Sequence, residues 1–449
     1  MAETIATTSV IRAIAFDQSG ALWAIRSVDG RCSLGVLDPE HRQTSGDELL
    51  PFCPSSLQAL PGEVFGTDGN WSFTVSIPAS APLRFGTLAA WFSSDNYVSG
   101  RNEGSVWFRA GTRVSLPADL GQMRFLPGGD AIVGVQHSAA GERLVRIDPG
   151  AAQPTDLSDL FPSIDSFDLS PDGRELVFSA LRSSGFDAAI GSTASLINHW
   201  INPDPADEIC VRWAPRGHKV SMVVRKVGAS FIRTVHVPTS AELPVAFPGE
   251  EVEAQAWEPS GERIAVVSSS PISSSRLSIV RYGGEEMTRV LEPERRLATE
   301  TDVLPGQDAA VLLPPAKVRY GEKYPVVIWT GVARPYRWSD PRAALFASTE
   351  SGLVVTTLSP AAIQPEFWSA ITGLSWADVS RIFIVSYGPF PPGRLGGIPA
   401  GATIITAMDP GAALSGIRIE RLDVSDPESF DAMAARLVIE KITRQKAMP

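Results

Sequence analysis

A 44-residue repeat constrains this chain more than any other feature. Three stretches align without gaps: FDLSPDGRELVFSA from Phe167, VRWAPRGHKVSMVV from Val211 and QAWEPSGERIAVVS from Gln255. Their turn glycines Gly173, Gly217 and Gly261 are spaced 44 residues apart, and one more step back reaches Gly129 in MRFLPGGDAIVGV. Looser copies precede them at AFDQSGALWAIR (Gly20), VFGTDGNWSFTV (Gly69) and WFSSDNYVSG (Asn96). In all seven, a large apolar residue stands four positions before the Gly or Asn: Phe16, Phe65, Phe92, Phe125, Leu169, Trp213 and Trp257. Beyond the turn the pairs Leu176/Phe178, Val220/Met222 and Ile264/Val266 recur with a period of two, which puts each pair on one face of a strand. The unit is a hairpin bent at a Pro-x-Gly turn.

One such unit of roughly 40 to 45 residues is about one four-stranded propeller blade, and blades stacked in a ring bury faces that a single blade would leave wet. The repeat therefore predicts a β-propeller of the WD/TolB-like kind over residues 8–295, with six or seven blades. The count stays open because Gly69 and Asn96 are only 27 residues apart. The Asp of SPDG is expected to bond its own turn backbone rather than a metal.

Charge removes several function classes. The 449 residues carry 39 Lys+Arg against 50 Asp+Glu, a formal charge of −11, with no basic run of five or more. A nucleic acid or an anionic membrane requires a basic footprint, so neither is an expected partner. The opening MAETIATTSVIRAIAF lacks a basic leader with an apolar core, and no stretch of about 18 apolar residues occurs. No signal peptide and no membrane span are expected. Cys32, Cys53 and Cys210 are widely spaced and odd in number, and they read as buried thiols in a reducing cytoplasm. No metal-type spacing of His, Asp or Glu is present. RLGGIPAG lacks the strand-to-helix context and the lysine of a phosphate loop, so neither metal nor cofactor is expected.

Near residue 300 the turn repeat stops and α/β punctuation begins. DAAVLLPPAKVRYGEKYPVVIWTG contains two apolar runs around a Pro-Pro break, the second at Val326–Trp329. SDPRAALFASTESG reads as a helix capped by Ser339, with Pro341 in its first turn and Gly352 as its stop. Leu353–Thr357, Ile382–Ser386 and Thr403–Thr406 suit buried parallel strands. SDPESFDAMAARLVIEKITRQK reads as a helix with a capping box at Ser425 and Glu428 and an apolar stripe of Phe430, Met433, Ala434 and Leu437. A small α/β domain is thus predicted over 300–449.

A propeller with SPDG-type turns, followed by LLPP, KYPVVIW and then SDPRAALFAS, resembles the prolyl oligopeptidase family of serine peptidases. In that family LLPP and KYPVVxxxHGGP open an α/β-hydrolase domain, so the resemblance implies such a domain here, truncated. It also implies where catalytic groups would fall. Thr330, Gly331 and Val332 occupy the place of the family's HGG stretch, and only the glycine remains. ADVSRIFIVSYGPF offers Ser386 at the place of the nucleophile, with Ile384 where the elbow's first glycine belongs. Asp423 in RLDVSDPESF resembles the acid loop. All five histidines, His41, His137, His199, His218 and His236, lie in the propeller segment, so the general base is expected to be missing.

The sequence therefore predicts a cytoplasmic pseudoenzyme in which the propeller binds a protein or peptide. An uncovered sheet edge in the shortened domain invites a partner or a second copy, giving a homo- or hetero-oligomer. The competing expectation is a serine peptidase whose catalytic residues are displaced or supplied by a partner.

Overall fold

The computed structural model describes most of residues 10–67 and 113–291, short strands between 72 and 107, and then 302–304, 310–315, 317–331, 351–356, 363–387, 401–407, 417–424 and 427–446. Six antiparallel sheets of four strands each are present among the described residues, and in every one the strands follow chain order. They span 10–49, 56–85, 120–156, 164–200, 207–248 and 251–291. Between the second and third lie two strand pairs, Trp91–Phe92 with Asn96–Tyr97 and Ser105–Trp107 with Arg113–Ser115.

Among the described residues, apolar layers join the first sheet to the second and stack the four sheets from 120 to 291 in succession. Leu126, Val133 and Leu144 of one sheet pack with Phe167, Leu176 and Phe178 of its successor. Val177 and Ala188 then meet Trp213, Val220 and Met222, and Ile209 and Val223 meet Trp257, Ile264 and Val266. The series closes on itself: Ile11, Ile14, Leu22 and Ala24 of the first sheet pack against Ala265, Val267, Leu277 and Ile279 of the last. There the Ile11 amide also donates to Ser275 Oγ at 2.9 Å. Apart from the step between the second and third sheets, the first strands of successive sheets sit side by side, the arrangement of a β-propeller.

The repeat glycines serve two purposes. The Gly129, Gly173 and Gly261 amides close β-turns on Leu126, Ser170 and Glu258 at 2.7, 2.9 and 2.9 Å, with φ of +67°, +70° and +71°. A Cβ on Gly261 would stand 2.7 Å from the Arg216 carbonyl oxygen, and one on Gly173 would stand 2.8 Å from the Pro127 ring, so neighbouring turns approach too closely for a side chain. The Asp172 carboxylate accepts from the Arg174 amide and the Ser170 hydroxyl within its own turn, as the SPDG reading expects.

Two sequence expectations need correction here. The Gly69 copy is out of phase, because it falls between Glu63–Thr67 and Ser72–Ser76, the second and third strands of their sheet rather than the first and second. That shift explains the short 27-residue interval to Asn96. Cys32 and Cys53 are joined in a disulfide, and only Cys210 is a free thiol. The bond ties the third strand of the first sheet to the segment leading into the second, so the inference of a reducing compartment loses its basis. No helix among the described residues is long and apolar enough to cross a membrane.

The rest of the chain builds one seven-stranded sheet. From edge to edge its strands are Asp302–Val303, Ala310–Leu313, Gly352–Thr356, Tyr324–Trp329, Ala377–Ser386, Thr403–Thr406 and Arg418–Arg421. The first two run antiparallel to each other, and Ala310–Leu313 runs antiparallel to Gly352–Thr356, while the last five strands are parallel. The central strands are buried on both faces, which accounts for their unbroken runs of Val and Ile. On one face the helix Pro365–Thr372 packs Phe367, Trp368 and Ile371 against Ile328, Val354, Ile384 and Ile404. On the other, the helix Pro427–Lys446 packs Phe430, Ala434, Val438 and Ile442 against Trp329, Phe383, Val385 and Ile405.

The helix stripe thus repeats every four residues. Met433, expected in it, is 44% exposed. Gly352 is no helix stop but the first residue of a strand, where the Trp376 ring fills the space of a Cβ. The helix expected from Ser339 and the Ser425/Glu428 capping box lie outside the described residues or side chains.

Candidate functional site

In an open parallel sheet, ligands bind beyond the carboxyl ends of the strands where successive connections leave in opposite directions. Here that point lies between Tyr324–Trp329 and Ala377–Ser386, since the chain passes from the former to one neighbour, Gly352–Thr356, and then returns to the other side. The residues at the crevice are Thr330 and Gly331 on one strand end and Ser386 and Tyr387 on the other.

Each is held by its strand. The Thr330 amide donates to the Val385 carbonyl at 2.9 Å and its hydroxyl donates to the same oxygen at 3.1 Å, so the two strand ends are pinned together. Gly331 turns the chain away at φ +68°, a left-handed conformation that favours glycine, which gives a backbone reason for this residue in the TGV stretch. Ser386 is the last rung of its ladder, paired with Thr406, and only 1% exposed. Trp329 is fixed from the opposite face, with its indole N–H donating to Asp431 Oδ1 at 2.9 Å.

Ser386 has company that sequence reasoning missed. Thr356, Thr330, Ser386 and Thr406 end four adjacent parallel strands and are 0%, 4%, 1% and 0% exposed. Each stands one alternation beyond Val354, Ile328, Ile384 or Ile404, which share a single core, so all four hydroxyls belong to one sheet face. The signal was present in the sequence as a Ser or Thr closing each apolar run: VIWT, LVVTT, FIVS and TIIT.

Asp423 is brought to the same end of the sheet, two residues past Arg418–Arg421, but it is exposed and separated from Ser386 by the strand Thr403–Thr406. Of the histidines, His41 lies outside the described residues. His137 Nδ1 is 2.8 Å from Glu142 Oε1 and His236 Nδ1 is 2.8 Å from Thr239 Oγ1, both within four-stranded sheets. His199 lies in another such sheet and His218 in a turn at φ +48°. No group of three or more His, Cys, Asp or Glu able to hold a metal occurs among the described residues.

At the other end of the central strand, burial would raise the Asp378 carboxyl. Hydrogen bonds from Ser380 and Arg381 overcome this and hold it below the ordinary carboxylate value. Asp378 and Arg381, whose Nη2 donates to the Lys323 carbonyl at 2.8 Å, anchor the strand that delivers Ser386.

No protein-family model matches the sequence, and no curated protein matches it. Solved structures do match. An acylaminoacyl peptidase solved in complex with Z-Gly-Gly-Phe-chloromethyl ketone aligns over 97% of this chain and 96% of its own, at 9% identity and a TM-score of 0.64. A puromycin hydrolase aligns over 89% of this chain and 78% of its own at 14% identity and a TM-score of 0.63. The Pyrococcus horikoshii acylaminoacyl peptidase aligns over 85% and 73% at 10% identity and a TM-score of 0.60. All three are members of the prolyl oligopeptidase family. At these identities the likeness is one of fold, and the chain has the architecture these peptidases share.

Proposed function

We propose that this protein binds a peptide or a protein segment through a prolyl-oligopeptidase architecture without using Ser386 as a nucleophile. On this reading residues 8–295 form a seven-bladed propeller, with the two strand pairs between 91 and 115 as its third blade. Residues 300–449 then form an α/β-hydrolase-like domain. The strand order supports that assignment, since it places one antiparallel hairpin before five parallel strands with a crossover between the third and fourth in sequence.

The observation that carries the non-catalytic reading is the state of Ser386. A nucleophile stands on a strained turn, exposed beyond the sheet, beside its base. Ser386 instead lies within the ladder, opposite Thr406 and buried. Its neighbour Thr330 takes the position where the family places a histidine, and that hydroxyl is engaged with Val385. A hydroxyl buried in the ladder is not presented to an incoming acyl carbon.

The second reading, a serine peptidase completed by displaced or partner-supplied groups, is favoured by one observation. Ser386 ends the strand that would carry the nucleophile, and Asp423 follows the strand that would carry the acid. A fluorophosphonate probe separates the two. The expected result is no labelling at Ser386 and no cleavage of peptide p-nitroanilides. Labelling that disappears in Ser386→Ala would establish the peptidase reading.

A further inference from the structure

The innermost strands of the ring carry side chains that bridge to the next innermost strand at intervals of one repeat. Asp165 Oδ2 accepts the Cys210 amide at 2.7 Å, Ser166 Oγ accepts the Val211 amide at 3.0 Å, and Asp168 Oδ2 accepts the Trp213 amide at 2.9 Å. Each bond spans 45 residues. The stitching needs irregular strands. Register shifts occur between Ile164 and Ser166, between Ile209 and Arg212, and between Val252 and Ala254, and at the second of these Cys210 adopts φ +53°. Such bulges turn a side chain out of the ladder, here toward the next innermost strand.

Arg124, Asp168 and Arg212 occupy one position of the repeat, each five residues before its turn glycine. Arg124 Nε lies 3.4 Å from Asp168 Oδ1, so this guanidinium has a counter-ion. Both oxygens of Asp168 are engaged as well, Oδ1 by the Leu169 amide at 3.0 Å and Oδ2 by Trp213. Arg212 differs. Among the described residues its hydrogen bond is from Nη1 to the carbonyl of its own neighbour Val211, at 2.8 Å, and no carboxylate lies within ion-pair distance. Asp165 and Asp168 act on it only from farther away, since their oxygens are taken by the backbone amides they cap. The two arginines are near enough to oppose each other: Asp168 favours the charge on Arg124, but burial and Arg212 draw it below its ordinary value.

On the next innermost strand Gln255, 4% exposed, donates from Nε2 to the Cys210 carbonyl at 2.6 Å, the carbonyl preceding the one that Arg212 bonds, while its Oε1 has no partner. A guanidinium with open donors and an unsatisfied amide oxygen, held on successive carbonyls of one strand, suit a carboxylate attached to a residue whose N–H can be donated. We propose that the inner wall of the ring holds a carboxylate-recognition site formed by Arg212 and Gln255. In it Arg212 receives the terminal carboxylate of an extended peptide and Gln255 Oε1 accepts the N–H of that last residue. The assignment rests on the reading of the ring as a peptide binder and names the end of the peptide that it grips.

The test uses the full chain and two matched pools of N-acetylated random tetrapeptides, one as free acids and one as carboxamides, with the retained fraction quantified by mass spectrometry. The free acids are expected to be retained at least tenfold more strongly than the amides. Arg212→Ala should abolish that preference, Arg212→Lys should restore part of it, and Gln255→Leu should weaken acid binding without equalising the two pools. Far-UV circular dichroism and the unfolding midpoint verify that each variant folds. Inorganic phosphate at 10 mM serves as the competing oxyanion: competition lost in Arg212→Ala places the anion at this residue. Equal retention of acids and amides would overturn the carboxylate site while leaving peptide binding intact. Retention of neither pool would overturn both.

Discussion

The first turn of the ring offers the sharpest stability test. Asp17 is 8% exposed, and Oδ1 accepts the Ser19 amide at 2.8 Å, the Ser19 hydroxyl at 2.6 Å and the Ala21 amide at 3.0 Å. Oδ2 accepts the Trp23 indole N–H at 3.0 Å. Burial alone would raise this carboxyl, but the bonds from Ser19, Trp23 and Ala21 prevail and its pKa lies below the ordinary aspartate value. Asp17→Asn keeps the shape and one acceptor oxygen but removes the charge and sets the new amide N–H₂ against the buried Trp23 donor. Three bonds demoted from charge-assisted to neutral cost about 2 kcal/mol together, and the stranded indole adds about 1.5 kcal/mol, for a total near ~3.5 kcal/mol. In a Trp23→Phe background the donor is gone, so the same substitution should cost only about 2 kcal/mol. Urea unfolding at pH 7, followed by the β-sheet circular dichroism signal, measures the cycle. Because the folded pKa is depressed, this stabilisation is complete above the unfolded value of about 3.9 and is lost as the pH falls through the folded one. The gap between wild type and Asp17→Asn should therefore close only below about pH 4. A cost under about 1 kcal/mol, an equal cost in both backgrounds, or a gap that persists in acid would refute this account of the turn.

Two further outcomes follow from the same geometry. Gly261→Ala meets both a left-handed backbone at +71° and the Arg216 carbonyl at 2.7 Å, and is expected to cost about 3 kcal/mol. Gly217→Ala, at +86°, meets only the flexible end of Lys219 and should cost about 1 kcal/mol, so equal losses in urea would dismiss the nested-turn explanation. Thiol titration of the unfolded chain should give one reactive cysteine without reductant and three with it. Closing a 21-residue loop predicts that reduction lowers stability by about 3 kcal/mol, and three thiols before reduction would remove the disulfide from the argument.

The ring was legible because its signal is geometric and repeated. A glycine with positive φ and an apolar residue four positions earlier recur every 44 residues, and contact with the preceding turn demands the glycine at Gly173 and Gly261. Legibility failed where the same words appear at another place in the sheet. VFGTDGNW imitates the first hairpin while belonging to the second, since a Gly turn between two alternating strands looks alike at either position. The cysteines were misread because spacing along the chain says nothing about a pair brought together by the step from one sheet to the next. In the α/β part the strands were found by their apolar runs, but the helix at Pro365–Thr372 was missed: at eight residues it carries too few turns for a period to emerge. Ser386 was correctly placed at a strand end. Its burial came from Thr406 and Thr330 alongside, which only register reveals.

The seam between the first and last sheets sets an order of assembly. Ile11 and Ser275 are separated by 264 residues, whereas every other joint with a described apolar layer links neighbours in the chain. During synthesis the growing ring is thus an open arc with two greasy ends, one of them waiting for a mate that emerges hundreds of codons later. Until Leu277 and Ile279 arrive, Ile11, Ile14 and Leu22 have no counterpart within their own polypeptide, and chaperone engagement should concentrate on that first surface.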